Sequence, residues 1–123
     1  MAAERHFDTV AFDVRDDTSM LFFAKTTDAG DIQDYLLIMR AEGEDHADEV
    51  YLEVNEQLLA GHDLIREARM TGNVLALELH EPAEALGGVN ELVLTFDATS
   101  ENKVSLETGA FRVLGSLLAG GHA

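Results

Sequence analysis

The 123 residues contain no cysteine, no tryptophan and one proline, Pro82. Without cysteine, disulfides, thiolate nucleophiles and cysteine-ligated zinc are excluded. Lysine is nearly missing too, with Lys25 and Lys103 the only two. Eight basic residues face twenty-four acids, for a formal net charge of −16. A field of that sign works against non-specific binding to nucleic acid or anionic lipid, since both are polyanions. No apolar run approaches the roughly 20 residues of a membrane-spanning helix. The opening MAAERHFDTV has no apolar segment of the kind an export signal uses. The expectation is a cytoplasmic protein with neither a membrane nor a nucleic-acid partner.

What is present is enough for a packed domain. Apolar residues make up 46% of the chain, too many for a disordered acidic tail. The length fits one domain over 1–123. Acid is concentrated early: residues 1–62 hold 15 acids and 4 bases, residues 63–123 hold 9 and 4. The densest stretch is AEGEDHADEVYLEVNEQ, from Ala41 to Gln57, with seven carboxylates and no lysine or arginine. Two explanations stand side by side. The charge serves solubility, or a salt-adapted source, or it accelerates encounter with a cationic partner.

Period-two patterns dominate from residue 7 to about 97. FDTVAFDV places Val10, Phe12 and Val14 on one face, and DDT then turns the chain. SMLFFAKT and YLLIMR are apolar on both faces and read as central strands. EVYLEVN alternates, with Val50, Leu52 and Val54 on one side and Tyr51, Glu53 and Asn55 on the other. EQLLAGHD reads as a loop before the strand LIREARM. Gly72 and Asn73 mark a two-residue hairpin into VLALELH, whose Leu75, Leu77 and Leu79 share a face. EPAEALGG closes one helical turn, with Pro82 early and Gly87 ending it. ELVLTFD turns Leu92, Leu94 and Phe96 inward.

The period changes at Ser100, the expected N-cap. Leu106, Ala110, Val113 and Leu117 form a helical stripe, widened by Phe111, Leu114 and Leu118, and Gly120 is expected just past the helix end. Gly109 inside this helix costs about 1 kcal/mol relative to alanine, and close packing against the sheet would explain it. The predicted fold is α+β: about seven mainly antiparallel strands in a curved sheet, one C-terminal amphipathic helix packed on it, and a frayed tail from about 119. One helix cannot cover both faces of such a sheet. The second apolar face, around Phe22 and Leu37, must be covered by sheet curvature, a dimer mate or a partner.

Catalytic signals are weak. His6, His46, His62, His80 and His122 lack the i, i+4 or i, i+2 spacing of metal ligands. DAGDIQD lacks the ligand spacing and closing glutamate of a calcium loop. There is no nucleophile-elbow serine and no Gly-rich phosphate loop. Glu53 and Glu78 are conceivable as a carboxylate pair, but outward-facing strand residues explain them more simply. No enzyme, no cofactor and no metal are expected. The positive signal is interfacial. Tyr35 and Tyr51 are the only tyrosines, and tyrosine is a favoured interface anchor. The candidate partner-binding residues are Tyr51, Glu53, Asn55 and Gln57, with Glu49 and Asp45 from the acidic block.

The chain also resembles immunity protein family 10, small cytoplasmic proteins of bacterial polymorphic-toxin systems. Tyr35 to Arg40 match its "Y-hydrophobic-hydrophobic-x-Q/M-R" strand, and Tyr51 to Gln57 match its "Y-hydrophobic-E-x-N-x-Q" strand. The likeness runs roughly from residue 7 to 115. It departs after Gln57, where LLAGHDLI stands in place of the family's Gly/Tyr-rich turn. The resemblance implies neutralisation of a cognate toxin domain by direct binding. A basic toxin, such as a nuclease whose cleft must attract phosphate, would complement the acidic surface. The alternative from another class is a self-associating structural or regulatory module, a homodimer covering its own apolar face.

Overall fold

The computed structural model describes residues 3–41, 50–55, 59–97 and 100–118. The chain forms strands β1 (Ala3–Phe7), β2 (Thr9–Arg15), β3 (Thr18–Thr26), β4 (Ile32–Ala41), β5 (Val50–Val54), β6 (Leu59–His62), β7 (Ile65–Thr71), β8 (Val74–Ala83) and β9 (Val89–Phe96). The change of period produces helix α1 (Ser100–Leu114), followed by a 3-10 turn over Gly115–Leu117. The strands form two sheets. One has four strands in the order β1-β9-β8-β7, the other five in the order β2-β3-β4-β5-β6.

The α+β class holds, while the single curved sheet of about seven strands is corrected to two sheets and nine strands among the described residues. Two strands account for the difference. AERHF forms β1, which pairs in parallel with β9 from Ala3↔Leu92 to Phe7↔Phe96. Its charged residues hide the pattern, because Arg5 points toward the core edge and only Phe7 is fully buried. LAGH, read as loop, is β6, paired with β5 through Tyr51↔His62 and Val54↔Leu59.

The two sheets share one core. Leu21, Phe23, Leu36, Ile38, Leu52 and Val54 of the five-stranded sheet join Phe7, Leu75, Leu77, Leu92, Leu94 and Phe96 of the other. Phe23 bridges them, its ring centroid 5.9 Å from Phe7 and 5.4 Å from Phe96. Truncating so buried a phenylalanine costs about 3–5 kcal/mol. At the rim, Arg5 Nη1 donates to both carboxylate oxygens of Asp34 at 2.9 Å, an ion pair linking β1 to β4. The expected inward stripes of VLALELH and ELVLTFD are as read. Gly72 (φ 59) begins the β7–β8 turn, and Gly87 (φ 75) ends the 3-10 turn over Glu84–Leu86.

Helix α1 packs on the inner side of β2, β3 and β4. Leu106, Ala110, Val113, Leu114 and Leu118 enter the core, whereas Phe111 is 48% exposed and does not widen the buried stripe. The helix ends earlier than expected, at Leu114. Gly115 (φ 54) turns the chain there, and the space a side chain would fill is taken by the Arg40 guanidinium. Arg40 Nη1 in turn donates to the carbonyl of Arg112 at 3.2 Å, supplying one of the donors that a helix C-terminus needs. Gly120 and the tail from 119 lie outside the described residues.

Candidate functional site

The second faces of the two sheets differ in chemistry. On the four-stranded sheet the outer residues include Glu67, Arg69, Glu78, Glu91, Thr95 and His6, laced by Arg66–Glu78 at 3.2 Å and Arg69–Glu67 at 3.5 Å. On the five-stranded sheet the register aligns three rows. One runs Asp13, Met20, Met39, Tyr51, His62; the middle one runs Ala11, Phe22, Leu37, Glu53, Ala60; the third begins Thr9, Ala24, Tyr35. Met20, Phe22, Leu37 and Met39 are each half-buried, although the helix lies on the opposite side. The apolar face expected around Phe22 and Leu37 is therefore present. Sheet-on-sheet packing covers the other face and leaves this one uncovered by any described element.

Glu53 stands within these rows, opposite Leu37 and Ala60. Tyr35 Oη donates to Glu53 Oε2 at 2.6 Å, and Tyr51 Oη donates to Glu53 Oε1 at 2.6 Å. Alternation places Tyr51 beside Glu53 on β5, while Tyr35 reaches it from the next strand. Charge-assisted hydrogen bonds this short favour the ionised acid. The phenol of Tyr35, then that of Tyr51, holds the Glu53 carboxyl below its usual range against the opposing effect of burial. The same bond to the anion, with burial behind it, pushes the Tyr51 phenol up. Among the described residues no cation pairs with Glu53. The Tyr51 ring also lies 5.2 Å from that of His62, and Tyr35 stacks on Phe22 at 6.0 Å.

Of the expected partner-binding residues, Tyr51 and Glu53 come together on this face. Asn55 sits at the end of β5 with φ 44. Its Oδ1 accepts from the Tyr35 backbone N–H at 2.7 Å, and its own N–H donates to the Tyr35 carbonyl at 3.2 Å. Its side chain thus closes the β4–β5 pairing and holds Tyr35 in register. Gln57, Glu49 and Asp45 lie outside the described residues. Tyr35 is the member of the site that alternation along β5 alone does not reveal. Its signal was the alternation of YLLIMR, which puts Tyr35, Leu37 and Met39 on one side.

Glu53 and Glu78 do not form a carboxylate pair, because they stand on the outer faces of different sheets and Glu78 is paired with Arg66. Among the described residues no cluster of histidine and acids could hold a metal ion, and no helix is long and apolar enough to cross a membrane. A separate open cleft of about 500 Å³ lies where the chain passes between sheets, floored by Leu59, Leu64 and Leu79 and edged by Asp63, His80 and Glu81. No protein-family model matches the chain, and a search of curated proteins returns no match either.

Proposed function

We propose that this protein is a cytoplasmic immunity protein, which neutralises a cognate bacterial toxin domain by binding it, with no chemistry of its own. The observation that carries this reading is the contrast between the two outer faces. One is charged and knitted by ion pairs, as a solvated face should be. The other carries Met20, Phe22, Leu37, Met39 and two tyrosines, each half-buried, around an anion. A continuous apolar face of this kind marks an interaction surface. Its aromatic residues are the types that anchor interfaces. The net charge of −16 selects a basic partner and speeds encounter with it. The resemblance to immunity protein family 10 points the same way.

The reading predicts that a gene beside this one encodes a large protein with a toxic C-terminal domain, and the test is co-expression with that domain. Growth should be restored, and the two proteins should co-purify as a complex. A neighbouring domain that kills equally well with this chain present, and does not bind it, would end the reading. The same apolar face also favours the second reading, a self-associating module. Light scattering separates the two, since an obligate dimer closed over Phe22 and Leu37 would leave no face for a toxin. Two bodies of charge −16 repel, which is why the basic partner is preferred.

A further inference from the structure

We infer that Glu53 is the receptor for a single arginine side chain of the partner, bound on the outer face of the five-stranded sheet; this rests on the reading of the chain as a toxin-binding protein. A carboxylate offers about four lone-pair sites. Two are taken by the phenols of Tyr35 and Tyr51, one on each oxygen. One further site on each oxygen is left, so a guanidinium, with donors on more than one nitrogen, has an acceptor on both oxygens. The phenols also hold the carboxylate in place, so little ordering is required of it on binding. An ammonium, a point charge without a planar fork, makes less use of the two oxygens.

The surroundings decide what the site is worth and what occupies it. Leu37 and Ala60 flank Glu53 across the sheet, and Phe22 lies one strand further on. A partner covering this face removes water from around the ion pair, which strengthens their attraction and makes an unmatched Glu53 costly. The face has no spare cation of its own among the described residues. Arg15, at its edge, is held by Asp13 at 2.7 Å. A second copy would bring another Glu53 and another −16 charges to the contact, and a nucleic acid or anionic membrane would bring phosphates. A basic protein is the occupant whose charge complements the site.

The experiment measures binding of the toxin domain that the co-expression test identifies to the full chain by surface plasmon resonance. Glu53→Gln should weaken binding about 30-fold or more, mainly through faster dissociation. Leu37→Lys, which places a cation directly opposite Glu53, should abolish binding and covers the case in which Glu53→Gln does not fold. Glu91→Gln, on the outer face of the other sheet, should bind as the parent does. An arginine-to-lysine scan of the toxin should find one position whose loss is large with Glu53 present and vanishes with Glu53→Gln. Tight binding by the parent chain that both Glu53→Gln and Leu37→Lys leave unchanged would overturn the arginine site and leave the immunity reading standing. No binding by the parent chain would overturn both.

Discussion

A methyl group placed on Gly109 would sit 2.5 Å from the ring of Phe12. The mid-helix glycine is thus a contact requirement, since α1 lies against β2 at that point with no room for a Cβ. Gly109→Ala should therefore destabilise by about 1–3 kcal/mol through overpacking, despite a gain in helix propensity of roughly 1 kcal/mol. Adding Phe12→Leu should recover part of the loss, so the pair is non-additive. Urea midpoints of the two single variants and the double variant check this. A Gly109→Ala protein more stable than the parent would place the helix further from β2.

The Arg5–Asp34 pair ties the parallel strand β1 to β4 across the core edge, with side chains 23% and 19% exposed. β1 otherwise depends on its pairing with β9 and on Phe7. Arg5→Ala and Asp34→Ala should each cost about 1–2 kcal/mol, and the double variant should cost less than their sum by roughly 1 kcal/mol. Thermal unfolding at low and high salt checks it. Full additivity would show that the pair contributes nothing in solution.

Elements buried on one face were legible in the sequence because burial imposes a period on them. VLALELH and ELVLTFD show their inward faces in their alternation, and EVYLEVN sets Tyr51 and Glu53 on one side. What failed to show had its burial signal interrupted. AERHF is a strand whose apolar alternation is broken by Arg5, a residue partnered from the other sheet. LAGH is a short edge strand with a glycine, so nothing in its composition separates it from a loop. The helix was legible in its stripe but not in its end. Gly115, Gly120 and Gly121 are all available as stops, and only Arg40, distant in sequence, selects Gly115. The site was half legible for the same reason. Alternation gives neighbours along one strand, and the Tyr35–Glu53 contact crosses strands in a register that the sequence does not state.

Asn55 tests whether the site is held from beneath. It adopts φ 44 and accepts the Tyr35 N–H through its side chain. Asn55→Gly keeps the backbone conformation and loses the acceptor, at about 1 kcal/mol. Asn55→Ala loses the acceptor and adds the left-handed penalty, for about 2–3 kcal/mol in all. Denaturant titration of both variants gives the order parent, glycine, alanine. Equal stability of the glycine and alanine variants would show that the turn relaxes to a different conformation.

The Tyr35–Glu53–Tyr51 cluster sets stability limits at both ends of the pH scale. Glu53 is held below its ordinary value of 4.5 by the two phenols, so its contribution is complete above that value. It is lost as the pH falls through the lower folded-state value, because the folded chain must then take up a proton that breaks the cluster. Tyr51 is pushed above its ordinary 10.0, chiefly by its bond to Glu53. Its contribution is complete below that value and is lost as the pH rises through the folded-state value. Glu53→Gln removes the anion on which both effects depend. The variant should show a flatter acid limb in a plot of unfolding midpoint against pH. Its tyrosinate absorbance should also rise at lower pH than in the parent. The chain has no tyrosines besides Tyr35 and Tyr51 and no tryptophan, so that signal comes from the cluster alone. A variant whose tyrosinate titration overlays the parent's would show that the phenols do not hold Glu53 in solution.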